Sequence, residues 1–237
     1  MDREVRPLVR TLSLQRAFIG DQPVWMGLGV AVAVVGVGTA VAGPATRQLL
    51  ADAGAPGGVG RVLMVGVAGA VDPSLTIGQL VAPAEVVNRA TGTRYRPDHP
   101  AGVAVGGVLA TGGELAVGPA ALADLRAAGV TAVDMETAAG VTAVDMETAA
   151  VADACEAVGV PWSVLRTISD RLADGLVDDD VLRLTRPDGT TDLAAVAGYL
   201  ARRPWRVARL ARLGMATDRA VRAVTGAAAA LCQPAPR

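Results

Sequence analysis

Lysine is absent from this 237-residue chain: all 22 basic residues are arginine. That excludes Schiff-base chemistry on lysine and a phosphate-binding loop of the Gly-Lys-Ser/Thr type. A single histidine, His99, leaves no histidine set for a metal, and two cysteines, Cys155 and Cys232, make neither a zinc cluster nor a disulfide framework. Aromatic residues are 3% of the chain, so the core must be built from Ala, Val, Leu and Gly. With 22 basic against 23 acidic residues the net charge is −1, which disfavours nucleic-acid binding through bulk charge. No basic segment directly precedes an apolar run, so no secretory leader is expected. A cytoplasmic, metal-free protein is the expectation.

What is present in quantity is apolar sequence, 51% of residues. The stretch from Pro23 to Thr46 carries no charge and is long enough to span a bilayer. Five glycines and Pro44 interrupt it, which argues for two buried strands, a glycine turn and a helix. Buried-strand patterns recur at Arg61–Val71, Gly78–Val87 and Val160–Asp170, and a shorter one, TAVDM, precedes Glu147. Asn88–Gly102 is polar and reads as an exposed loop holding His99, Pro119–Gly129 reads as a helix with Pro at its start, and the acidic run Asp178–Asp180 reads as a solvated segment. Such alternation predicts a layered α/β fold with a mostly parallel sheet, whose ligand site lies beyond strand carboxyl ends.

The sequence GVTAVDMETAA occurs twice in tandem, at Gly129–Ala139 and Gly140–Ala150. Only one copy can fill a given structural slot, and two copies of an 11-residue unit are too few for a solenoid. The second copy runs without interruption into the segment ending at Asp170, and is expected to be the working one. Residues 202–237 hold eight Arg and one Asp, +7, against −8 in the remainder. Val207, Leu210, Leu213 and Val221 recur there at near-helical spacing, so a basic amphipathic helix with Trp205 either packs on its own protein or touches an anionic membrane weakly. Residues 1–201 and this tail, 202–237, are read as parts of one domain.

On the strand pattern, two neighbouring strands deliver Glu147 and Asp170 to one rim of the sheet. An Asp at such a strand–helix junction is equally readable as a helix N-cap. Arg166, four positions before Asp170, falls on the same strand face by even spacing and is expected to pair with a buried carboxylate.

Gly66-Val67-Ala68-Gly69 followed by DPSLTIGQLV, then VDMETAAVADAC, then VLRTISD, resembles the purine nucleoside phosphorylase and nucleosidase superfamily. The resemblance covers nearly the whole chain. It is nearest to methylthioadenosine/S-adenosylhomocysteine nucleosidases and, through RRPWRVARLARL in the tail, to hopanoid-associated nucleoside phosphorylases. It implies a three-layer α/β/α phosphorylase/hydrolase-like fold with a mixed, mostly parallel central sheet, in which the strand that precedes DREV in the family is either cut off at the start or missing from the sheet. It implies cleavage of the N-glycosidic bond of a 5′-modified adenine nucleoside, without cofactor or metal, by a homo-oligomer. Asp170 matches the acid that protonates the purine, beside the base-binding Ser169. Glu147 (or Glu136 of the other copy) matches the residue that holds the ribose hydroxyls, and Met146 (or Met135) packs on the sugar. Leu115 stands at the place of the aromatic that stacks on the base. Phosphorylases grip phosphate where this chain has Met64 and Val67, neither an anion ligand, and nucleosidases position water with a Glu matched by Glu4. Hydrolysis is therefore expected, with phosphorolysis and an inactive nucleoside-binding module as the alternatives.

Overall fold

A computed structural model describes residues 2–112, 141–171, 184 and 192–232, with the side chains of residues 2–4, 193 and 209 excepted. Helix α1 (Asp2–Thr11) leads into a three-stranded antiparallel sheet of β1 (Gln15–Ile19), β2 (Gln22–Gly27) and β3 (Val30–Ala33). Leu28 and Gly29 join β2 to β3 with φ of 53° and 75°, the twist that a two-residue hairpin favours. Helix α2 (Thr39–Asp52) follows. The charge-free stretch thus divides into strands and a helix, and no helix among the described residues is long and apolar enough to cross a membrane.

The main sheet has seven strands: β4 (Val62–Ala70), β5 (Leu80–Val81), β6 (Glu85–Asn88), β7 (Arg94–Tyr95), β8 (Val108–Thr111), β9 (Val141–Asp145) and β10 (Trp162–Arg171). Their order is β5-β10-β4-β9-β8-β6-β7. The sheet is mixed. Its long ladder, β4 with β10, is parallel, as are β6 with β8 and β8 with β9, whereas the antiparallel contacts are two residues each. Helix α3 (Thr148–Ala157) connects β9 to β10, and helices α4 (Leu193–Arg202) and α5 (Val207–Cys232) close the chain, with a 3₁₀ turn at Pro204–Arg206 between them.

Strand alternation sets the layers. Met64 and Ala68 of β4, with Val164 and Ile168 of β10, face Ala42 and Leu50 of α2 and Ala149, Ala152 and Cys155 of α3. Leu63 and Val65 of β4 and Leu165 of β10 face Leu8 and Leu12 of α1 and Val224 and Ala228 of α5. Both faces of β4 and β10 are covered, which is why these strands read as unbroken apolar runs. The tail is therefore anchored: Val221, Val224 and Ala228 are buried, whereas Val207 at the other end of α5 is exposed.

Among the described residues, Val62–Ala68 of β4 pair only with β10, and β3 pairs only with β2. Residues of both strands line one cavity of about 2490 Å³. Among the described residues the two sheets thus stay separate.

Three expectations change. The run Gly78–Val87 is two strands, because Pro83 cannot donate to a ladder; β5 pairs with β10, and β6 pairs with β7 and β8. The polar loop holds β7, with Tyr95 buried, although His99 is exposed. Strands β9 and β10 are not neighbours: β4 lies between them, and β9 runs antiparallel to β4. Sequence succession across a helix need not place two strands side by side. The helix read at Pro119–Gly129, the first repeat copy and the acidic run Asp178–Asp180 lie outside the described residues.

Candidate active site

Glu147, Met146, Ser169, Asp170, Arg166, Met64 and Val67 all line the large cavity. Its volume exceeds the ~300–1,000 Å³ of a small-molecule pocket, because it also runs between the facing edges of β3 and β4. The polar groups gather where β4 passes between the end of β9 and the end of β10.

Asp170 is placed by a break in the strand. The β4–β10 register shifts between Ile168 and Asp170, so that Ile168 opposes Ala68 and Asp170 already opposes Gly69. Ser169 is the extra residue. Such bulges re-aim side chains, so even spacing alone no longer sets Asp170 on the face of Arg166. The Ser169 hydroxyl donates to Oδ1 of Asp170 at 2.7 Å and lies 3.4 Å from the Ala68 carbonyl oxygen.

Glu147 stands at the N-terminus of α3, with its side chain 19% exposed. Its Oε1 accepts from the Gly38 N–H at 3.0 Å, from the glycine that opens α2. Its Oε2 lies 3.9 Å from Nη2 of Arg166. Burial pushes the Glu147 pKa up and the neighbouring Asp145 charge adds to this, while Arg166 and the backbone N–H groups pull it down; the net direction is upward.

Arg166 is buried and held mainly by a residue that the sequence reading passed over. Its Nη2 donates to Oδ2 of Asp145 at 2.5 Å and to Oγ1 of Thr148 at 2.7 Å. Asp145 also accepts from the Thr148 N–H at 3.1 Å and from the Thr111 hydroxyl at 2.6 Å. Thr111 Oγ1 in turn accepts from the Ala149 N–H at 3.1 Å. Asp145 and Thr111 thereby satisfy free N–H groups at the start of α3, so the capping carboxylate is Asp145 and not Glu147. The signal was legible: an Asp closing an apolar strand three residues before a helix start. Arg166 reaches this cluster across Gly66, where a Cβ atom would lie 2.0 Å from Nη1.

Glu4 belongs to α1, whose Val5 and Leu8 line the cavity, but its side chain is outside the description. Leu115, Met135 and Glu136 lie outside the described residues. The placed copy of the repeat is the second, with Asp145, Met146 and Glu147.

Residues 139–200 match the Phosphorylase superfamily. No curated protein matches the chain. Its fold is similar to that of the 5′-methylthioadenosine/S-adenosylhomocysteine nucleosidase of Neisseria meningitidis in complex with methylthio-immucillin-A, at 16% identity and a TM-score of 0.67 over 98% of this chain and 94% of that one. The corresponding nucleosidase of Colwellia psychrerythraea, in complex with adenine, gives 19% identity and a TM-score of 0.68 over 98% and 91%. Futalosine hydrolase of Helicobacter pylori gives 17% and 0.64 over 98% and 93%.

Proposed function

We propose that this chain is an enzyme that hydrolyses the N-glycosidic bond of an adenine nucleoside modified at its 5′ carbon. The observation that carries the reading is the convergence of Glu147, Ser169 and Asp170 on one cavity, in a fold similar to nucleosidases that hold adenine and methylthioadenosine analogues. As the C1′–N9 bond lengthens, its electron pair moves to the purine and positive charge grows on the ribose. Asp170 donates a proton to purine N7, so that adenine leaves neutral. Ser169, bonded to the other end of that carboxyl group, holds it toward the base. Glu147 accepts hydrogen bonds from the ribose hydroxyls and opposes the growing positive charge, while Met146 packs on the sugar. A water oriented by Glu4 adds to C1′ and passes a proton to the Glu4 carboxylate, giving the modified ribose. Leu115 packs on the base.

Hydrolysis is favoured over phosphorolysis by Met64 and Val67. Both line the cavity and neither can bind an anion. The 5′ substituents that fit the reading are methylthio or homocysteinyl groups, or a hopane-like lipid as in the hopanoid-associated branch. The active form is proposed to be a cytoplasmic homo-oligomer with weak contact to anionic membranes through α5.

Adenine release from methylthioadenosine, followed by absorbance with and without phosphate, tests the reaction. Release independent of phosphate, with free modified ribose as co-product, is expected. A sugar 1-phosphate in proportion to added phosphate makes the chain a phosphorylase, and no base release from any 5′-modified adenosine makes it a binding module.

A further inference from the structure

The buried cluster of Asp145, Thr111, Thr148 and Arg166 offers a second level of control over the same cavity. Among the described residues, the hydrogen bonds of the Arg166 guanidinium run through Nη2, to Asp145 and Thr148. Its Nε is buried and finds no partner among the described residues. The Asp145 side chain is 1% exposed and that of Arg166 7%, so neither charge is relieved by water. Among the described residues, Glu147 is the other carboxylate within reach, at 3.9 Å. A shielded guanidinium between two carboxylates pairs more strongly with the nearer one. Here Arg166 sits on Asp145, whose two oxygens are held in place by the Thr111 hydroxyl and the Thr148 N–H.

We propose that Asp145, oriented by Thr111, is a positioning residue that holds Arg166 off Glu147 and so keeps the Glu147 carboxylate free to accept substrate hydroxyls. This rests on the nucleoside-cleavage reading for its kinetic consequence, though not for its geometry. Without the Asp145 charge, Arg166 closes onto Glu147 and competes with the ribose for the same oxygens. The groups that face Glu147 are Arg166 from β10, Asp145 from β9, the Gly38 N–H from the start of α2 and the Met146 N–H beside it. Replacing Asp145 removes a like charge and brings a cation nearer, and both changes favour the ionised form of Glu147.

Asp145→Asn separates this role from capping, because Asn caps a helix about as well as Asp but carries no charge. The expected result is a KM for the nucleoside raised ~10-fold or more with a smaller change in kcat. The acid limb of kcat/KM should move to lower pH. A crystal structure of Asp145→Asn should show Arg166 in direct contact with Glu147. If Asp145→Asn does not fold, Thr111→Val should give the same pair of changes in weaker form, with Thr111→Ser restoring the parent values. An unmoved acid limb with unchanged KM, or an Arg166–Glu147 gap as wide as the present one in the folded variant, overturns the proposal. If the parent chain cleaves no nucleoside, the functional reading fails while the crystallographic distance still decides the positioning role.

Discussion

Glu147 is buried deeply enough that desolvation raises its pKa against the pull of Arg166. The native state therefore binds the Glu147 proton more tightly than the unfolded chain does. Linkage gives the sign: stability from this group is full below the ordinary glutamate range and is lost as pH rises through the raised value. Above the ordinary glutamate range this group opposes folding, as functional groups often do. Glu147→Gln should therefore melt above the parent at neutral pH, with the gap shrinking as the pH falls below the ordinary glutamate range. A constant gap across that titration, or a lower melting point for the variant at neutral pH, contradicts the assignment. Asp170→Asn addresses the other carboxylate. It preserves shape and the Ser169 bond but removes the acid proton, so turnover should fall ~10²–10⁴-fold with folding intact; parent-like turnover would remove Asp170 from the chemistry.

At the scale of elements, Gly66 is where strand β4 makes room for Arg166. A methyl group there would lie 2.0 Å from Nη1, so Gly66→Ala must displace a buried guanidinium from its carboxylate. Overpacking alone costs about 1–3 kcal/mol, and the disturbed ion pair adds to it. Urea unfolding should show a loss in the upper part of that range or beyond. A loss within experimental error would mean that Arg166 has another route to Asp145. The repeat poses a related question of placement. Its second copy builds β9 and the start of α3, and Glu147 reaches the cavity from there. Glu147→Gln should abolish activity and Glu136→Gln should not, measured as base release; the reverse pattern would transfer the role to the first copy.

What the sequence showed followed the reach of each pattern. Val62–Ala70 and Trp162–Arg171 were legible because strands covered on both faces have no polar alternation to confuse them. Two-residue β7 was hidden, since Arg94–Tyr95 is too short for any period to register. The bulge at Ser169 was invisible as well, because a register shift depends on the partner strand and not on β10 itself. The capping role of Asp145 is legible in its place three residues before α3, whereas its pairing with Arg166, 21 positions along the chain, is not, because only the folded sheet brings the two together.

For the whole molecule, the tail carries +7 while the remainder carries −8, and the fold sets these charges in two environments. The C-terminal half of α5 is fixed on β4, β10 and α1 through Val224, Ala228 and Leu231. Its first turns present Val207 and Met215 at 51% and 65% exposure, with Trp205 just before them at 73%. Arg202, Arg212, Arg219 and Arg222 are exposed along the same segment, and Asp218 offsets one charge by pairing with Arg222. Apolar side chains among arginines, with a tryptophan at the edge, suit the interface of an anionic bilayer. Removing residues 202–237 would be a poor test, since it also strips Val224 and Ala228 from the core. Trp205→Ser combined with Arg212→Glu leaves the anchored half of α5 untouched. The parent should co-sediment with phosphatidylserine-containing vesicles at low salt and progressively less as salt shortens the screening length from ~30 Å at 0.01 M to ~8 Å at 0.15 M. The double variant should stay in the supernatant at every salt concentration while keeping the parent's base-releasing activity on a water-soluble nucleoside. Equal sedimentation of parent and variant, or none by the parent at low salt, would leave the exposed turns of α5 without a lipid partner.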